Sequence, residues 1–124
     1  MKKTLFKILS IFVALILLLQ LASCKGISKD DAKANLEGAG YKVSIMTGDE
    51  YEESDENTFA ITSLELEYYL YAEKDADKIY IYFFYSIDDA SNNEPFINHN
   101  GLSSGQNNNV IYYGTKQSIK DAKI

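Results

Sequence analysis

Residues 64–73 and 78–85, on either side of Lys74-Asp75-Ala76-Asp77, constrain this chain more than anything else in it. Both runs are rich in aromatic and β-branched residues and alternate strictly, the pattern of strands with two distinct faces. Placing Lys74 opposite Asp77 across a tight turn brings Glu73 opposite Lys78, two pairs of opposite charge. The same register sets Ala72 by Ile79, Leu70 by Ile81, Tyr68 by Phe83 and Leu66 by Tyr85 on one apolar face. The other face receives Tyr71 by Tyr80, Tyr69 by Tyr82, and Glu67 by Phe84. A slip of one residue would mix the two sets, so charge and hydrophobicity select one hairpin.

The flanking chain supplies helices and shorter strands. Ser28-Lys29-Asp30-Asp31 has the form of a capping box and predicts a short helix ended by Gly38-Ala39-Gly40. Tyr41-Lys42-Val43-Ser44-Ile45 alternates as a strand. Six acids fall between Asp49 and Glu56, and their mutual repulsion predicts an exposed, mobile loop over residues 48–57. Phe59-Ala60-Ile61 either extends strand structure or packs down as a loop anchor. Ser86-Ile87-Asp88-Asp89 repeats the cap chemistry ahead of a second short helix, after which Phe96 and Ile97 are expected to tuck against the core. Residues 98–109, with two glycines and Asn107-Asn108-Asn109, read as a long surface loop. Val110-Ile111-Tyr112-Tyr113 is a last strand, and Thr115 caps a final helix with Ile119 and Ala122 inward. The expected fold class is α+β: a small two-layer domain, a mainly antiparallel sheet round a central hairpin, with helices packed on the face of Leu66, Leu70, Ile79, Ile81 and Phe83.

Ahead of this domain, Lys2, Lys3 and Lys7 precede an apolar run over residues 8–19 broken only by Ser10, and no acid occurs before Cys24. A positive start, an apolar middle and small residues at its end are the parts of a secretory signal. The fifteen residues from Ile8 to Ala22 fall short of the about 20 that a membrane-spanning helix needs. Leu21-Ala22-Ser23-Cys24 resembles the bacterial lipobox, a likeness confined to residues 1–24. It implies cleavage between Ser23 and Cys24, diacylglyceryl attachment to the Cys24 thiol, and lipid anchoring at the extracytoplasmic face of the cell membrane. Residues 1–23 are then signal peptide, residues 24–27 the lipidated cysteine with a short tether, and residues 28–124 one extracytoplasmic domain.

Charge and residue inventory narrow the chemistry. Residues 1–23 hold three lysines and no acid, so their removal leaves 101 residues with nine lysines against eighteen acids, a net charge of −9 in place of −6. Such a surface excludes the basic groove that nucleic acid requires. Every basic residue is lysine, so no guanidinium fork is available for carboxylate or phosphate. The one cysteine is Cys24, whose acylation removes the only thiol, and the one histidine, His99, lies in a polar loop without a catalytic motif around it. Asp49, Glu50, Glu52, Glu53, Asp55 and Glu56 offer oxygen ligands for a hard cation, but their spacing does not match a calcium loop. A solvated acidic segment is the plainer reading, and no cofactor is expected.

The remaining candidate is the second hairpin face, Tyr69, Tyr71, Tyr80, Tyr82 and Phe84. If helices cover only the other side, it is open to stack on a glycan, a peptide or an envelope protein, because tyrosine couples a rigid apolar ring to a polar tip. The same rings would equally stabilise a half-solvated sheet by cross-strand pairing, or lie beneath a loop. The sequence thus points to a lipid-anchored cell-envelope module that works by binding or protein interaction. The alternatives are a small metal-dependent or carboxylate-based envelope enzyme and a purely structural envelope protein.

Overall fold

The computed structural model describes residues 26–124. Helix α1 (Lys29–Gly38) leads into strand β1 (Lys42–Thr47), helix α2 (Gly48–Glu53), and the hairpin β2 (Leu66–Lys74) and β3 (Asp77–Phe84). Helix α3 (Ile87–Asn93) follows, then a 3-10 turn (Glu94–Phe96), strands β4 (Ser103–Asn107) and β5 (Val110–Gly114), and helix α4 (Lys116–Ala122). The five strands form one antiparallel sheet in the order β1-β2-β3-β5-β4. The chain is therefore a small α+β domain built on an antiparallel sheet with a central hairpin.

The hairpin register is the one its charges and apolar residues dictate, from Lys74 opposite Asp77 down to Tyr68 opposite Phe83. Beyond that pair the register shifts, and Leu66 pairs with Phe84 instead of Tyr85. The irregularity at Glu67 has a packing cause. It turns Leu66 into the aromatic face, where it is fully buried with Phe84, and leaves Tyr85 outside the core, 59 % exposed.

Each helix begins where a side chain accepts from a backbone N–H that the helix cannot satisfy. Ser28, Thr47, Ser86 and Thr115 accept from Asp31, Glu50, Asp89 and Ser118 respectively. At Thr47 the box is reciprocal, because the Glu50 carboxylate also accepts from the Thr47 N–H. The acidic segment is thus not a loop throughout. Its first half is helix α2, whose one apolar member, Tyr51, is fully buried. Residues 98–109 likewise contain β4, which pairs with β5 through a two-residue turn at Asn108-Asn109.

Two apolar clusters lie on the two faces of the sheet. On the first, Leu70, Ala72, Ile79, Ile81, Phe83 and Val110 pack against Ala32 and Leu36 of α1 and Ala122 of α4. The second face has its own cover: Tyr51 of α2, Ile61, Ala90 of α3 and Ile97 close over Leu66, Tyr69, Tyr82, Phe84 and Tyr113. One-sided helix packing therefore holds for α1 and α4 only. Ile61 and Ile97 are buried as loop anchors, whereas Phe96 is 73 % exposed and does not tuck in.

Candidate functional site

The candidate face Tyr69, Tyr71, Tyr80, Tyr82 and Phe84 divides into a covered and an accessible part. Tyr69, Tyr82 and Phe84 are 3, 2 and 0 % exposed, so they are core residues and not a free binding surface. The burial has a simple origin: residues 48–65 and 87–97 bring Tyr51, Ile61, Ala90 and Ile97 fully inward with Phe59 packed partly against them, and so thin an apolar signal is enough to roof one end of a sheet. Tyr51 and Tyr82 meet edge to face with ring centroids 5.7 Å apart, and the Tyr51 hydroxyl donates to the Glu56 carbonyl at 3.2 Å. Burial pushes the phenols of Tyr51, Tyr69, Tyr82 and Tyr113 above the ordinary tyrosine range.

Tyr71 and Tyr80 stay half-buried, towards the Lys74–Asp77 end of the hairpin. Their rings lie 5.0 Å apart, and Tyr80 stacks on Tyr113 at 4.5 Å with 16° between the planes. The Tyr71 hydroxyl donates to Glu73 at 2.8 Å. Burial, helped by that carboxylate, raises its pKa to about 12. The result is a short row of parallel or tilted rings, apolar on its flank and polar at its tips.

A groove of about 840 Å³ occupies the other end of the sheet. Gly26, Lys29, Tyr68, Tyr85, Ile87 and Asn109 are among its walls, and a smaller cleft of about 180 Å³ shares Tyr68 and Tyr85 and reaches Thr47 and Asp49. The Lys29 ammonium lies over the Tyr68 ring, 4.1 Å from its centroid. Asn109 fixes the start of the described chain here. Its Oδ1 accepts from the Gly26 N–H at 3.0 Å, and its Nδ2 donates to the Phe84 carbonyl at 2.9 Å. A side chain at Gly26 would collide with the Asn107 carbonyl and with Val110, which is why glycine stands there.

Sequence reasoning did not find this groove, although one signal for it was present. Tyr85 precedes the Ser86 cap, in the position from which an apolar residue commonly staples to the fourth helical residue. That residue is Ala90, fully buried in the second cluster. So small a partner leaves Tyr85 unstapled.

The other predicted residues are placed as follows. Ser23 and Cys24 lie outside the described residues. Asp49, Glu50, Glu52, Glu53, Asp55 and Glu56 are all exposed, and Glu50 is engaged by the Thr47 cap. Among the described residues no group of three histidine, cysteine or acidic side chains converges as a metal site would. His99 is half-buried, and its carbonyl accepts from Leu102. No helix among the described residues is long and apolar enough to cross a membrane. Comparison with known proteins finds no family model, no curated protein and no solved structure that matches this chain.

Proposed function

We propose that this chain is a lipid-anchored module of a bacterial cell envelope that binds a partner through the accessible row Tyr71–Tyr80. The anchor rests on Leu21-Ala22-Ser23-Cys24 behind its lysine-led apolar run. The binding role is carried by one observation. The cover of the second sheet face reaches Tyr69 and Tyr82 but stops short of Tyr71 and Tyr80, which remain half-buried beside the stacked Tyr113. Rings held in this way offer a sugar ring or an extended peptide contact area at little cost in side-chain entropy. The groove lies at the opposite end of the hairpin, where the anchor joins, so the tyrosine row is held away from the membrane.

Two experiments test the two halves. Fatty-acid labelling of cells should mark the wild type and not Cys24→Ala; labelling of the variant would remove the anchor. The double variant Tyr71→Thr/Tyr80→Thr spares the buried Tyr69 and Tyr82 and should melt close to the wild type. Compared in pull-downs from envelope extract, it should lose the partners that the wild type captures. An unchanged set from a folded variant would sink the binding role.

A further inference from the structure

The groove is lined by polar and apolar residues alike, but large apolar side chains stand exposed beside it with no cover among the described residues. Four large apolar side chains are strongly exposed among the described residues: Leu64, Tyr85, Ile87 and Phe96. Tyr85 and Ile87, at 59 and 49 %, line the groove itself. Leu64, at 87 %, stands between Ser63, which lines the adjoining cleft, and Glu65, whose carbonyl accepts from the Tyr85 N–H at 3.0 Å. Two of the four thus line the groove, where Gly26 joins the fold, and Leu64 lies next in the chain to the wall of the adjoining cleft.

We infer that the rim of this groove is seated on the surface of the bilayer in which the lipid of Cys24 is embedded, an inference that rests on the lipid anchor proposed above. Reach makes the first argument. Gly26 is clamped by Asn109, and only Lys25 separates it from Cys24. Two Cα steps span at most about 7.6 Å, so the acylated residue cannot leave the neighbourhood of the groove. A domain tied so short has this end against the lipid whether or not the end suits lipid.

Chemistry makes the second. Tyrosine with an apolar body and a polar tip, flanked by leucine and isoleucine, is the set of side chains that settles at a membrane interface. Of the charged residues that line the groove, Lys29 pairs with Asp30 at 3.6 Å, and Asp31 and Glu67 leave the lining net negative, so anionic headgroups gain nothing by approaching it. The contact is therefore one of apolar burial on zwitterionic lipid, insensitive to salt, and it turns the Lys74–Asp77 end of the hairpin outward.

The chain contains no tryptophan, so a single introduced indole reports its own position. The full-length acylated protein would be reconstituted into phosphatidylcholine vesicles carrying bromine on the acyl chains. Tyr85→Trp and, separately, Leu64→Trp should emit at shorter wavelength than in detergent-free buffer and lose at least half their intensity to the brominated lipid, equally at low and high salt. Ala76→Trp, at the hairpin turn, should keep the emission of an indole in water. Protein that floats with the vesicles yet shows no quenching at either position 85 or position 64 would overturn the inference and leave the anchor standing. A shift that grows with the density of protein on the vesicle, without bromine quenching, would assign the rim to a second copy and overturn it equally. Failure to float, with no acyl mass on Cys24, would remove the anchor itself and this inference with it.

Discussion

Asn109 shows how much one polar side chain holds in a domain without disulfides. It ties the first described residue to the last residue of β3 by accepting from Gly26 and donating to Phe84. Asn109→Ala leaves a part-buried N–H and a carbonyl without partners, which costs about 1–3 kcal/mol; urea denaturation should show that loss, and Asn109→Asp, which keeps the acceptor alone, should fall between the two. Tyrosine sets a second residue-level property. Tyr41, just ahead of β1, donates its hydroxyl to Asp121 of α4 at 2.8 Å, and its pKa is raised by burial first and by that carboxylate second. Tyr51, Tyr69, Tyr71, Tyr82 and Tyr113 are raised as well, mainly by burial. A phenol whose pKa is higher folded than unfolded keeps its proton longer in the native state. The unfolded chain therefore binds fewer protons above about pH 10, and stability falls with rising pH. That stability is complete below pH 10 and is lost from there upward, through about 12 for Tyr71. Absorbance of tyrosinate during alkaline titration should rise in two stages, the second coinciding with loss of the far-ultraviolet circular dichroism signal.

Elements differ in how tightly the sheet constrains them, and glycine reports the difference. Gly48 opens α2, and a Cβ there would overlap the Leu66 carbonyl, which is backbone and cannot yield. Gly48→Ala should cost about 1–3 kcal/mol and loosen the cover over Tyr82. Gly38, in the last turn of α1, meets nothing within 4 Å, so Gly38→Ala should stabilise by about 0.5–1 kcal/mol. Thermal melts of the two variants should move in opposite directions. The same contrast explains what could be read in advance. The β2–β3 register was legible because Lys74–Asp77, Glu73–Lys78 and two alternating apolar sets all demand it. The caps at Ser28, Ser86 and Thr115 were legible because a hydroxyl followed by helix-forming residues leaves few other readings. Strand β4 was not, since Ser103-Ser104-Gly105-Gln106-Asn107 has no apolar residue to mark a face and is held at the sheet edge by backbone pairing with β5 and by the Gln106 amide donating to Ser91 of α3 at 3.0 Å. Helix α2 hid behind its acids, with Tyr51 alone pointing inward. The fate of the aromatic face hung on that one residue together with Ile61, Ala90 and Ile97, so pairing of the tyrosines was readable while their burial was not. The groove was beyond reach for a different reason: it joins Gly26, Tyr68, Tyr85 and Asn109, which only the folded topology brings together.

At the scale of the whole molecule, one sheet serves two cores, and this decides how the domain unfolds. The first core takes α1 and α4, the second takes α2, α3 and the segments around Ile61 and Ile97. Their apolar residues alternate along the same strands: Leu70, Ile79 and Ile81 face one way, Tyr69 and Tyr82 the other. Neither layer can lose its helices without exposing the reverse side of strands that the other layer needs paired. A domain of this size with such shared strands should unfold in one cooperative step. Leu36→Ala, in the first core, removes a fully buried side chain and should cost about 2–5 kcal/mol. Ile61→Val, in the second, should cost about 0.5–1.5 kcal/mol. In each variant the urea midpoints from the far-ultraviolet signal, which follows backbone, and from the near-ultraviolet tyrosine signal, to which Tyr51, Tyr69, Tyr82 and Tyr113 of the second core contribute beside Tyr41 of the first, should move together and stay coincident. Coincidence in the Leu36 variant is the sharper requirement, because the substituted residue touches none of the second core's rings and can reach them only through the shared strands. A tyrosine signal that split in two, its larger part keeping the wild-type midpoint while the backbone signal fell, would show the second core surviving alone, and would mean that the sheet does not couple its two faces.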